Sequence, residues 1–150
     1  ADLITVHGRT RDKYYAGEPD YAQVAAAKAA VRIPVIANGG IFTEKDADKM
    51  CEETGADGVM LARAALYGPW VFSEITGSGK QKDVRADILY QIADMLPVYG
   101  EKFTLVQMRK MTAFYIKGRR GGAEYRKRLF AADSLAALYA LIDEIFAKDA

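Results

Sequence analysis

The sequence predicts an α/β fold in two parts: three βα units of the kind that build a (β/α)8 barrel, then a small all-α helical bundle. Three observations predict it. Apolar runs without polar alternation recur about 27 residues apart, each followed by a helical pattern, as parallel βα units require. Strand signals stop at Thr76-Gly77-Ser78-Gly79-Lys80, a small polar linker. Beyond it every apolar stripe has helical spacing. The parts are residues 1–77 and 78–150.

In the first part, Ala1 to Thr10 (ADLITVHGRT) reads as a strand with Leu3, Ile4 and Val6 apolar, and His7-Gly8-Arg9-Thr10-Arg11 follows at its end. Asp20 caps a helix whose Val24, Ala27 and Val31 share one side. Ile33 to Ala37 is a strand buried on both faces, and Asn38-Gly39-Gly40 ends it in backbone that can bend sharply and admit a ligand. Thr43 and Asp46 form a capping box for the helix of Glu44 to Thr54, and Gly55 stands at its C-cap. Gly58 to Ala62 is a second buried strand with Arg63 just past its end. A glycine turn and an arginine thus meet on neighbouring strand ends, where (β/α)8 barrels commonly bind phosphate.

In the second part, Asp83 to Tyr99 and Phe103 to Lys117 are helices, and Leu105, Met108, Thr112 and Tyr115 form one stripe of the latter. Gly118, Gly121 and Gly122 break the pattern, and Ala123 to Ala131 is a short basic helix. Asp133 or Ser134 caps the last helix, whose apolar face is Leu135, Leu138, Ile142 and Ile145. About four helices make a bundle.

Composition narrows the class. No run approaches the roughly 18–20 apolar residues of a membrane span, and no basic-then-apolar leader opens the chain, so a cytoplasmic protein is expected. One cysteine excludes an internal disulfide framework and fits a reducing compartment. With one histidine beside it, no zinc site can be assembled from Cys and His ligands. The net charge of +1 hides an asymmetry: residues 1–77 hold 8 Lys and Arg against 11 Asp and Glu, residues 78–150 hold 13 against 9. Between Arg109 and Arg128 eight basic residues face only Glu124, a pattern that fits a polyanion.

Three βα units cannot close a barrel, which takes eight units and about 250 residues. The chain is therefore expected to be the back part of a larger protein. Left alone, it is expected to self-associate through open sheet edges and apolar helix faces.

The segments ITVHGRTR, IPVIANGGI, TGADGVMLARAALYGPWVF and MRKMTAFYIKG, in this order and spacing, resemble the C-terminal half of bacterial tRNA-dihydrouridine synthases. The resemblance covers essentially the whole chain. It implies an FMN-dependent TIM barrel, here its last three βα units, followed by a helical tRNA-binding domain. It also implies reduction of the C5=C6 bond of uridines in tRNA, with NADPH as the electron donor.

Residue by residue, His7 matches the family histidine beside the flavin. Asn38, Gly39 and Gly40 match the turn that holds the FMN phosphate, and Ala62 and Arg63 a second phosphate contact. The family often has Asp or Glu at Gly40 and Gly at Ala62. Arg109 and Lys110 match the family's RK pair, where Met111 replaces a frequent histidine. With Lys117, Arg119, Arg120, Arg126 and Arg128 they make the expected RNA-binding set, the other reading of these charges being an ordinary solvated face. Arg9 and Arg11 in the first part either join that set or pair with acids of the missing half. Tyr14, Tyr15 and Tyr115 are candidate stacking partners for an extruded base, while Met108, Met111 and the stripe of Phe103, Phe114 and Tyr115 read first as bundle core.

The general acid of the family is a cysteine in an Asn-x-Gly-Cys-Pro loop of the N-terminal half. Cys51, mid-helix between Met50 and Glu52 and expected to face the core, does not replace it. No catalytic residue and no metal ligand is therefore assigned in this chain, which is expected to be inactive alone. Two readings stand beside this one. One is another FMN- or phosphate-binding barrel oxidoreductase carrying an RNA-binding helical module; the other is a non-enzymatic RNA-binding module.

Overall fold

A computed structural model describes residues 1–13, 16–79 and 82–147. The expected stacking residues Tyr14 and Tyr15 lie outside them. The chain divides into two compact units, Ala1–Ala65 with Trp70–Lys80 and Leu66–Pro69 with Gln81–Ala150. The division falls three residues beyond the expected one, and residues 66–69 group with the second unit.

The first unit is a three-stranded parallel sheet with helices between its strands. Its elements are β1 (Ile4–His7), α1 (Tyr21–Ala30), β2 (Val35–Asn38), α2 (Glu44–Thr54), β3 (Gly58–Met60) and α3 (Val71–Thr76). The order is β1-β2-β3, with Ile4 opposite Val35, His7 opposite Asn38 and Asn38 opposite Met60. All three strands therefore end at one level. Val24, Ala37, Ile41, Ala47, Met50 and Ala56 form the core, and Val6, Val59 and Leu61 pack against it.

Local chemistry explains the helix limits. The Asp20 side chain accepts from the Gln23 backbone N–H to start α1. Thr43 and Asp46 form the reciprocal capping box of α2, and Gly55 closes that helix in the left-handed region at φ 68°. At the start of the strands, Asp57 accepts from Lys28 Nζ at 2.6 Å and from the Val35 N–H at 2.7 Å, tying α1, β2 and the entry to β3 together. These bonds hold the Asp57 carboxyl below the usual carboxylate range, the Lys28 bond being the largest cause.

Three expectations need correction here. β1 begins at Ile4, and Leu3 is exposed. The strand expected over Gly58 to Ala62 is only three residues long and is not buried: Met60 is 49% exposed. β3 is an outer strand among the described residues, and its residues are only partly covered. Cys51 is only partly buried, at the flank of α2 rather than in the core.

The second unit is helical. α4 (Val84–Tyr115) starts at Asp83, whose side chain accepts from the Ala86 N–H, and it breaks at Gly100 (φ 74°, ψ 171°) into the two expected helical segments. α5 (Gly122–Ala131) and α6 (Leu135–Phe146) follow, and Ser134 supplies the cap of α6 by accepting from the Ala137 N–H. Leu105, Met108, Thr112 and Tyr115 are buried as their stripe requires, together with Leu135, Leu138, Ile142 and Ile145. Among the described residues no helix is long and apolar enough to cross a membrane.

Candidate functional site

In a parallel sheet the residues after each strand emerge at one edge, so short segments far apart in sequence become neighbours. A cavity of about 200 Å3 lies there. His7 and Arg9 reach it from the end of β1, the Asn38-to-Phe42 turn from β2, and Met60, Ala62 and Arg63 from β3. All six residues expected to hold the cofactor line this one cavity: His7, Asn38, Gly39, Gly40, Ala62 and Arg63.

The turn has a shape that side chains would spoil. Gly39 and Gly40 have φ of 128° and 71°. A Cβ on Gly39 would come within 3.4 Å of the His7 ring, and one on Gly40 would meet Pro19 Cγ at 2.9 Å. Asn38 is buried, and its Nδ2 donates to the Met60 carbonyl at 2.7 Å. It therefore pins the ends of β2 and β3 together beneath the turn. His7 is exposed, and its Nδ1 accepts from the Arg9 backbone N–H at 3.0 Å. That bond puts the proton of the neutral ring on Nε2, making Nε2 the donor.

Two arginines flank the turn. The Arg63 guanidinium lies 5.3 Å from the Phe42 ring centre, a cation–π contact that steadies it at the cavity. Arg9 donates through Nε and Nη2 to the Gly17 carbonyl at 3.0 and 2.8 Å, and its Nη1 passes within 3.6 Å of the Gly39 Cβ position. Arg9, one of the candidate RNA contacts, thus lies beside the glycine turn. Arg11 sits exposed on the 3₁₀ turn Arg11–Lys13, apart from the cavity lining. Sequence reasoning missed Phe42 and Pro19, one beneath Arg63 and the other against Gly40. Phe42 stands two residues after Gly40, and that closeness to the glycine turn is the signal that could have found it.

The cavity suits the anionic end of a cofactor. Its volume of about 200 Å3 is below the roughly 300–1,000 Å3 that whole ligands fill, a size nearer to that of a single anionic group. A Cβ-free turn beside a guanidinium is the donor set such an anion needs. Cys51 lies on α2, away from this lining, and burial together with Asp48 and Asp57 pushes its thiol pKa up. Among the described residues no group of acidic, histidine or cysteine side chains could hold a metal ion.

The expected RNA contacts of the helical unit divide into two groups. Arg109 donates from Nη1 to the carbonyls of Phe130 and Ala132 at the end of α5, at 3.1 and 2.8 Å. Arg128 makes a two-point pair with Glu144 on α6, which raises its pKa. Arg119 donates to the Ile145 carbonyl and lies over the Phe146 ring. Lys117 donates to the Tyr67 hydroxyl at 3.0 Å. Lys110 and Arg120 are exposed and Arg126 half-buried, and none of the three has an ion-pair partner among the described residues. Tyr115 is buried and exchanges hydrogen bonds with Gln91, so it is a core residue and not a stacking platform.

Comparison with known proteins bears on both units at once. The family model described as dihydrouridine synthase (Dus) matches residues 1–149. The chain is 35% identical to tRNA-dihydrouridine synthase B of Pseudomonas aeruginosa over 154 residues, covering 97% of this chain and 46% of that protein. It is 38% identical to a probable tRNA-dihydrouridine synthase 1 of Synechocystis, covering 96% and 43%, and 34% identical to a probable tRNA-dihydrouridine synthase of Helicobacter pylori, covering 99% and 46%. The chain thus spans a little under half the length of these relatives. Because one family model runs through the strand-end cavity and the basic helices alike, the chain belongs to the dihydrouridine synthase family.

Proposed function

We propose that this chain is the phosphate-holding and RNA-holding part of a tRNA-dihydrouridine synthase, its sheet being the last three βα units of a TIM barrel. The enzyme reduces the C5=C6 bond of uridines in tRNA, with FMN as cofactor, NADPH as electron donor and the cytoplasm as its setting. The observation that carries this reading is the convergence of His7, Asn38 to Gly40, and Ala62 with Arg63 on one small cavity at the strand ends.

FMN, when bound, would supply the hydride for C6 of the uracil ring. The residues of this chain fix where that happens. The Gly39-Gly40 turn and Arg63 hold the phosphate, and Asn38 keeps the two strand ends that carry them in register. His7, with Nδ1 occupied by the Arg9 amide, offers Nε2–H as a donor beside the turn. Cys51 lies on α2, outside the cavity lining, so it is not placed to protonate C5. That proton comes from the remainder of the enzyme, and this chain alone is inactive. In the helical unit, Lys110, Arg120 and Arg126 supply phosphate attraction of the sequence-independent kind. Access to a uridine inside folded tRNA requires extruding it from its stack.

The test compares two flavins that differ by the phosphate alone. FMN is expected to bind this chain more tightly than riboflavin, read by flavin fluorescence. Arg63→Ala is expected to weaken FMN about 10- to 150-fold, as for loss of a charge-assisted hydrogen bond, and to leave riboflavin unchanged. Equal affinities for the two flavins would sink the reading.

A further inference from the structure

We propose that a second cavity, of about 430 Å3 in the helical unit, is a subsite for one nucleotide of RNA, taking its base against an aromatic wall and its phosphates at a cationic rim. The inference rests on the tRNA reading above and goes beyond it, naming the part of the RNA that is gripped and the residues that grip it.

Tyr67, Phe114 and Phe130 form the wall, Lys110, Lys117 and Arg126 the rim, and the lining contains no acidic side chain. The volume lies within the roughly 300–1,000 Å3 of small-ligand sites. A flat apolar body with an anionic edge matches both halves of this lining. A second copy of the chain, or a peptide helix, would fill the wall but leave three cations without counter-charge.

The wall is ordered for stacking. Tyr67 and Phe114 meet edge to face, with centroids 6.2 Å apart and planes at 79°. The Lys117 ammonium lies 4.2 Å from the Tyr67 centroid and donates to its hydroxyl, so that ring already holds a cation. Phe130 is different: it is 56% exposed, a large apolar ring left in water beside cations. Arg109 donates to the backbone carbonyls of Phe130 and Ala132 and so anchors the end of α5 that carries this ring, which makes Arg109 a positioning residue for this wall. An exposed, held aromatic next to phosphate-seeking cations is the arrangement that stacks an unpaired base.

The experiment measures binding of an unmodified tRNA transcript to the 150-residue chain across a salt series, with heparin as a polyanion that has no bases. Phe130→Ala is expected to weaken tRNA binding about 5- to 150-fold, the effect of one lost base stack, while heparin affinity and the salt slope stay unchanged. Phe130→Trp is expected to restore tRNA binding. Lys110→Gln is expected to lower the salt slope by about 0.7–0.9 for both ligands. The proposal is overturned if Phe130→Ala, folded by circular dichroism, binds tRNA like the parent chain. It is equally overturned if that variant only converts a dimer to a monomer in sedimentation, or only abolishes binding of free uridine monophosphate. Failure of the tRNA reading itself looks different: the unsubstituted chain would then not prefer tRNA to heparin at all.

Discussion

The two units carry their candidate anion-binding groups in opposite ways. At the strand ends the recognition surface is mostly backbone, two glycines at positive φ with Arg63 beside them, and residues read from short motifs all reach one cavity. In the helical unit the surface is side chains, and reading them by charge alone overcounts. Of the seven basic residues expected to touch RNA there, Arg109, Arg119 and Arg128 are bonded to carbonyls or a carboxylate within the unit. The difference teaches that a glycine turn declares its purpose through local geometry, whereas a cation declares only a charge. Whether that charge is available depends on partners far along the chain.

The largest expected effect breaks the backbone side of this contrast. In Gly40→Val, a β-branched residue would be forced to φ 71° with its Cβ 2.9 Å from Pro19 Cγ. Strain of this kind costs about 1–3 kcal/mol, and the clash moves the turn. FMN binding is expected to vanish while riboflavin contacts that avoid the turn persist. Thermal melting and the flavin titration check both halves. A Gly40→Val chain that keeps its preference for FMN over riboflavin would mean that the turn is not the cradle.

A neighbouring pair sharpens the side-chain half. Arg109→Ala leaves the carbonyls of Phe130 and Ala132 without their donor, a loss of about 1.5–3 kcal/mol in unfolding free energy for bonds from a charged group. Lys110→Ala, one residue on and exposed, is expected to change stability by less than about 0.5 kcal/mol. On tRNA the roles reverse in kind. Lys110→Ala lowers the slope of log affinity against log salt by about 0.7–0.9, and Arg109→Ala lowers affinity without altering that slope. Chemical denaturation and a salt series distinguish them. Equal slope changes for the two would make Arg109 a phosphate contact after all.

The same contrast governs what could be read from residues alone. The caps at Asp20, Thr43 with Asp46, and Gly55 were legible because each is settled within four residues. The strand-end cavity was legible because parallel βα connections carry every strand's exit to one edge, whatever fills the helices between. The fate of Arg109 was not, since its acceptors lie 21 and 23 residues on. Nor was the placing of Lys117, whose partner Tyr67 is 50 residues back. Cys51 and β3 went astray for a related reason. Periodicity says which residues share a face, and not how completely a neighbouring element covers it.

The smallest expected effect lies at the opposite end of the sheet from the cavity, where Asp57 joins Lys28 to the Val35 amide. Its carboxyl pKa is lowered in the folded chain, so the unfolded chain takes up the proton first as pH falls. The stabilisation is therefore complete above the unfolded value of about 3.9 and is lost as pH drops through the lower folded value. Because the group is exposed, the gain is screened and modest. Asp57→Asn is expected to flatten the fall in melting temperature below about pH 4 and to leave the FMN-to-riboflavin preference at neutral pH untouched. If that preference changed instead, the two ends of this short sheet would be coupled, and the cavity could no longer be treated as a property of the strand exits alone.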